Sequence, residues 1–403
     1  MSYYEDYWLL KNRFNINDKH IVLENGINIY NQAFISENDE FLPQIDDFSK
    51  DNDGNFLLSQ LNTPYQHQII DIDDGDIVEN KSYQYTIFTN SKAAKSKKII
   101  VLFHGLNEKD WTKYLPWAKR LVEQTDSAVV LFPIAFHMNR TPAAWSDQKI
   151  MNKVSDERKK MFPNIVDSSF ANAAISTRLQ YNPQHFFWSG LESYCDFIQL
   201  FKLIRNGKCA HLDKDASINI FSYSVGSMLA EIILFTNENN WFSKTKLFIF
   251  CGGATFNRML PVSKYILDSE ANIALYAYFI EHLEKELARD HKLSTYFQQV
   301  NSASYYFKSM LDYHKMKENR NIRLDVLKSN IAALVLKKDT VVPAYEVVNF
   351  LKGEDRKRAI SVKIMDFPFN YRHEAPFPFN DKIKNEVNKA FDYVFNFAAK
   401  HLS

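Results

Sequence analysis

Between residues 98 and 365 the sequence returns six times to a short, nearly unbroken apolar run, and a helical pattern follows most of these runs. The runs are 98–103 (KIIVLF), 128–133 (AVVLFP), 218–221 (INIF), 246–250 (KLFIF), 331–336 (IAALVL) and 360–365 (ISVKIM). A run of this length without polar alternation predicts a strand covered on both faces. Helical stretches are predicted near 113–124, 190–206, 225–235, 344–351 and 381–401, the last strongly amphipathic. Strands alternating with helices predict a mostly parallel α/β sheet, in which ligands meet the carboxyl ends of the strands. Chemistry is therefore sought in the residues just after each strand.

Two stretches interrupt the alternation, at about 147–187 and about 256–330, and the second is mostly helical. Long insertions between core strands serve as caps or as an extra packing layer. Residues 1–95 form an N-terminal portion with short strands expected at 21–23, 27–30, 68–72 and 83–88 and an acidic loop at 37–54. The expected organisation is an N-terminal extension over 1–95, a first core part over 96–255, a helical cap over 256–330 and a second core part over 331–403.

Hydrophobic residues make up 46% of the chain and charged residues 24%, enough apolar material for one large core. Aromatic content reaches 15%, which serves either the core or an aromatic-lined pocket. The net charge of +1 supplies no overall field for nucleic acid or an anionic membrane. Cys195, Cys209 and Cys251 are widely spaced and form no CxxC pair, so neither a zinc site nor a disulfide framework is expected. The N-terminus lacks the basic-then-apolar pattern of a secretory signal, and no apolar run approaches membrane-spanning length. A cytoplasmic protein without stable membrane insertion is the expectation; oligomeric state is left open.

The third apolar run ends in Phe221-Ser-Tyr-Ser-Val-Gly226, and a helix is predicted to start at once. Strand, tight turn and helix are the setting of a nucleophile elbow, G-x-S-x-G. Here Ser222 stands where the pattern has its first glycine. Ser224 occupies the apex and is the candidate nucleophile, while Ser222 should still lie on the strand. A serine needs a base, and the base needs an orienting acid. Asp339 falls in the loop after the fifth run, and His373 lies between the sixth run and the final helix. Asp366 is the alternative acid. His185, His211, His282, His291 and His314 stand at the wrong places in the chain order. The first run ends Leu102-Phe-His-Gly-Leu-Asn107. Its His-Gly pair predicts a loop that turns backbone N–H groups, those of Leu106 and Val225, toward an oxyanion, with His104 holding the loop.

With HGLN at His104, SYSVG at Ser222, DTVVP at Asp339 and RHEAP at Arg372, the chain resembles the α/β-hydrolase superfamily over about residues 80–403, insertions aside. The resemblance implies a mostly parallel eight-stranded sheet flanked by helices, its first two strands coming from the N-terminal segment. It also implies metal-free, cofactor-free hydrolysis of a small acyl substrate through an acyl-enzyme, as in little-characterised bacterial branches. An ester, thioester or amide is the expected substrate. An acyltransferase on the same residues, or a non-catalytic binding protein on the same scaffold, are the other readings. The strand-end loop 135–145 offers His137, Asn139, Arg140 and Trp145, and Arg258 follows the fourth run. These residues either read a polar or anionic substrate group or tie loops together.

Overall fold

The computed structural model describes residues 1–24, 26–42, 64–70, 72–90 and 94–403. Among the described residues nine strands form one sheet in the order β1-β2-β3-β5-β4-β6-β7-β8-β9. They are β1 (His20–Val22), β2 (Ile27–Ile35), β3 (Ser82–Asn90), β4 (Ser96–Phe103), β5 (Ala128–Leu131), β6 (Leu212–Tyr223), β7 (Leu247–Phe250), β8 (Ile331–Leu336) and β9 (Ser361–Met365). From β5 to β9 every neighbouring pair is parallel, while β1–β2, β2–β3 and β3–β5 are antiparallel. Only β1 and β3 thus oppose the common direction. This is the expected α/β-hydrolase sheet with one strand more than predicted: the N-terminal segment supplies β1, β2 and β3 instead of two strands.

The side-chain alternation within β4 explains the unbroken apolar runs. Ile99, Val101 and Phe103 enter a core with the helices His185–Arg205 and Val225–Thr236. Ile100 and Leu102 enter the opposite core, with the helices Leu115–Thr125 and Lys384–Leu402. Both faces are covered, so both positions of the two-residue repeat must be apolar. The last strand departs from this rule: β9 closes the sheet edge and is largely exposed.

One N-terminal expectation is corrected. Residues 68–70, expected in a strand, belong to the helix Pro64–Ile70, where Ile69 packs with Trp145, Met151 and Val154; residue 71 lies outside the described residues. Tertiary burial of one face overrides the local β-branched signal. An unforeseen helix, Tyr3–Arg13, opens the chain with a capping box between Ser2 and Glu5. Of the acidic stretch 37–54, only residues 37–42 are described, with one 3-10 turn at Asp39–Phe41; residues 43–54 lie outside the described residues. Among the described residues no helix is long and apolar enough to cross a membrane.

The two interrupting stretches are tied to each other. Arg158, on the helix Gln148–Met161, holds Asp268 through two hydrogen bonds of 2.7 and 2.8 Å, both side chains fully buried. Asn172 donates to the carbonyls of Asp167 and Ser263, and Val166 N–H donates to Ser269 Oγ.

A second buried ionic cluster fastens the N-terminal segment to the long helix His185–Arg205. Arg140 lies 3.2 Å from Glu192 and 2.8 Å from Asp196, with all three side chains fully buried. Its guanidinium also donates to Asn80 Oδ1 and the Pro133 carbonyl and packs 4.0 Å from the Tyr83 ring centre. Ser36 and Asn38 add donors to Asp196, and Asn80 donates to Glu192. Removing one member of such a cluster leaves an uncompensated buried charge. Arg140→Ala should lower stability by about 3–5 kcal/mol, measured by urea unfolding with an unchanged slope. A loss below about 1 kcal/mol would contradict this account of the cluster.

Candidate active site

The nucleophile candidate sits where β6 gives way to its helix. Ser224 has φ 56° and ψ −127°, a conformation few non-glycine residues adopt, and its N–H donates to the Phe250 carbonyl at 3.3 Å. The turn closes because the helix behind it approaches β4 closely. A Cβ on Gly226 would lie 2.5 Å from the His104 carbonyl oxygen and 2.8 Å from that of Phe103. Gly252 is equally confined: a Cβ there would fall 2.2 Å from Ser227 Oγ and 2.8 Å from the Ser224 carbonyl oxygen. Position 222 tolerates a hydroxyl because Ser222 Oγ stays in the strand and donates to Ser227 Oγ at 3.0 Å. Ser222 is fully buried and faces away from the apex.

Around Ser224 the fold brings together residues 149 and 34 positions apart. Ser224 Oγ lies 2.7 Å from His373 Nε2, and His373 Nδ1 lies 2.8 Å from Asp339 Oδ2. A carboxylate only accepts, so Nδ1 carries the proton and Nε2 is left to accept from the serine hydroxyl. The other carboxylate oxygen, Asp339 Oδ1, accepts the N–H groups of Val341 and Val342 at 2.9 Å each. Asp339 therefore caps its own turn and orients the imidazole at once. The Cys251 thiol also contacts this carboxylate; burial first, and then the adjacent charge, push its pKa well above the ordinary thiol value. Asp366 is elsewhere, half-exposed and held by Lys338 and Tyr371.

The histidine loop is anchored from both sides. Tyr371 Oη accepts the Lys338 N–H at 2.9 Å, and a tight Arg372–Ala375 pairing carries His373. Tyr223 Oη donates to the His373 carbonyl, and its ring stacks on the imidazole at 5.4 Å between centres. Tyr223 was not singled out from the sequence, although its place beside the elbow apex was available as a signal.

Opposite His373, the loop after β4 supplies backbone donors. The N–H of Val225 opens a helix and has no intrahelical acceptor, and among the described residues that of Leu106 has no partner either. His104 holds the loop: its Nδ1 donates to the Gly105 carbonyl at 2.8 Å, and its Nε2 accepts the Ile134 N–H at 2.9 Å. Burial drives the His104 pKa well below its ordinary value, so the ring is neutral. Asn107 ties the loop to both insertions through the carbonyls of Ala171 and Tyr265, at 2.9 and 2.7 Å. Ser224 and His373 open on a cleft of about 400 Å³ that Leu106, Asn107, Lys109 and Tyr265 also line. Among the described residues no group of three or more His, Cys, Asp or Glu side chains is placed to hold a metal ion.

The five expected substrate contacts divide. His137 and Trp145 line a small pocket that shares Leu106, Asn107, Glu108 and Lys109 with the cleft. Arg140 does not face a pocket; its charge is used in the buried cluster described above. Asn139 donates to the Gln84 carbonyl at 3.0 Å, and Arg258 is held between Glu346 and His314, away from Ser224. These three tie loops together. A sequence shows that a cation follows a strand, but not whether a carboxylate from a distant helix already neutralises it.

No curated protein sequence matches the chain. Solved structures similar to it include a thermostable esterase from Pseudomonas putida ECU1011, at 11% identity over 100% of this chain and 91% of that one, with a TM-score of 0.41. Another is carboxyl esterase 2 from the mycorrhizal fungus Tuber melanosporum, at 8% identity over 80% of this chain and 82% of that one, with a TM-score of 0.45. A third is an esterase from Pyrobaculum calidifontis, at 11% identity over 98% and 91% of the two chains, with a TM-score of 0.43. At this identity and these scores the likenesses carry no argument about activity. A family model matches the chain over residues 1–403, and the chain belongs to that family, DUF6051, a family of unknown function.

Proposed function

We propose that the chain is a serine hydrolase that cleaves a carboxylic ester, thioester or amide through an acyl-enzyme. The observation that carries this reading is the continuous hydrogen-bonded row Ser224–His373–Asp339, at 2.7 and 2.8 Å, on the floor of an open cleft. In the first step Ser224 Oγ attacks the substrate carbonyl carbon while His373 Nε2 takes the hydroxyl proton. The carbonyl oxygen becomes an oxyanion and accepts the N–H groups of Leu106 and Val225; one such donor lowers the barrier by about 3 kcal/mol. Collapse expels the leaving group, to which His373 returns the proton. Water then attacks the acyl-serine, giving up its proton to the same nitrogen, and the carboxylic acid departs as Ser224 is restored.

The environment suits these steps. Asp339 is buried and fixed by two amides, so it stabilises the imidazolium that forms without leaving its place. The strained apex presents the hydroxyl clear of its own strand. We assign the segments 147–187 and 256–330 as a cap over the cleft, because Ala171, Tyr265 and Ile266 line it.

A fluorophosphonate should label the wild-type protein, and Ser224→Ala and His373→Ala should abolish labelling while leaving unfolding midpoints close to wild type. Absence of label on folded wild-type protein would remove the hydrolase reading. Asp339→Asn should keep the fold yet reduce kcat on a p-nitrophenyl ester by about 10⁴, because the amide favours the wrong imidazole tautomer. A decrease under about tenfold would show that Asp339 only caps its turn.

A further inference from the structure

The pocket beside the cleft is small, about 40 Å³, and is built from polar groups whose bonding is incomplete. His137 Nδ1 lies 2.9 Å from the Ala135 carbonyl, so this nitrogen carries the proton and Nε2 is an acceptor. Burial lowers the His137 pKa to about 4, so the ring is neutral at physiological pH. Nε2 is buried and, among the described residues, accepts no hydrogen bond. Asn107 is in the same state. Its Nδ2 donates to two carbonyls, which fixes the orientation of the amide and, among the described residues, leaves the buried Oδ1 without a donor. Both residues are more than nine-tenths buried, with exposures of 7% and 8%. Buried acceptors without donors are rare in native proteins, and each calls for a reason.

Lys109 lines both the small pocket and the cleft of Ser224. Among the described residues it has no hydrogen bond or ion pair, in contrast to Lys113, which is held by Glu108. The pocket's other cation is already neutralised: Arg178 lies 2.7 Å from Asp74 and stacks on Trp145 at 4.5 Å. Lys109 therefore supplies the donor, and His137 and Asn107 the two acceptors. A carboxylate satisfies the first and offers nothing to the other two, since it carries no hydrogen. A carboxamide has one carbonyl acceptor and two N–H donors, which matches the set.

We infer that this pocket is a subsite for a neutral carboxamide on the substrate, its N–H groups donating to His137 Nε2 and Asn107 Oδ1 and its carbonyl accepting from Lys109 Nζ. The ester or amide to be cleaved reaches Ser224 from the same molecule, because Asn107 and Lys109 border both spaces. This names the substrate class for the proposed hydrolase and rests on that reading for the fate of the bound ester, not for its binding.

The test uses the full chain carrying Ser224→Ala, which binds without turnover, so wild-type labelling scores the hydrolase reading separately. It is titrated by calorimetry with ethyl esters ending in a carboxamide, in the isosteric isopropyl group or in a carboxylate, on tethers of two to four methylenes. The carboxamide ester should bind at least about tenfold more tightly than the isopropyl ester at the best tether length. The carboxylate ester should gain no comparable advantage. Adding Lys109→Met or His137→Phe should lower the carboxamide preference by at least about threefold. Equal affinity for carboxamide and isopropyl esters overturns the inference. So does tighter binding of the carboxylate, or a preference that neither substitution reduces.

Discussion

The approach of the helix Val225–Thr236 to the end of β4 sets the geometry on which the rest of the site depends. Gly226 allows the helix backbone to pass against the carbonyls of Phe103 and His104. That contact fixes the apex at Ser224 and brings the Leu106 and Val225 N–H groups to the same end of the sheet. A methyl group at position 226 would meet backbone atoms on a central strand, which cannot move without displacing β5 and β6. Gly252 plays the matching part from β7, beneath Ser227 and the Ser224 carbonyl. The elbow is thus clamped from two neighbouring strands, and its strained φ is held by packing.

Around this fixed point the remaining groups are positioned by bonds to backbone. Asp339 accepts two N–H groups of its own turn before it meets His373. His373 is held at its carbonyl by Tyr223, so the residue beside the candidate nucleophile also places the proposed base. His104 and Asn107 hold the loop after β4 in the same way, one to β5's exit and the other to the two insertions. These anchors leave the imidazole and hydroxyl few alternatives, which is the preorganisation that an acyl-transfer site requires.

Much of this was legible in the chain. The apolar runs located β4 to β8 because a strand covered on both faces cannot hide polar residues at alternate positions. Ser224, Asp339 and His373 followed from their positions just after such runs, since strand ends of a parallel sheet converge on one edge. The segment 68–72 misled, because Ile69 packs against the helix Gln148–Met161 and a five-residue pattern does not separate helix from strand. The strand expected at 21–23 is β1, His20–Val22, but the sequence did not show that it joins the main sheet at its edge. Arg140 misled for a different reason: its partners Glu192 and Asp196 lie some fifty residues away, on a helix whose buried face looks apolar in sequence.

What the sequence alone determined was the alternation of strands and helices in the core from β4 onward, the glycine and serine positions of the elbow, and the identity of the three groups in the hydrogen-bonded row. These are local signals, carried by spacing, side-chain size and the chemistry of single residues. Only the tertiary structure decided which polar residues were consumed by one another and which were left unpaired beside the cleft. Arg140 and Arg178 found carboxylates, while among the described residues His137 Nε2, Asn107 Oδ1 and the Lys109 ammonium have no partner. That difference arises from distances between segments far apart in the chain, and a linear pattern of residue types does not encode whether a charge is already satisfied.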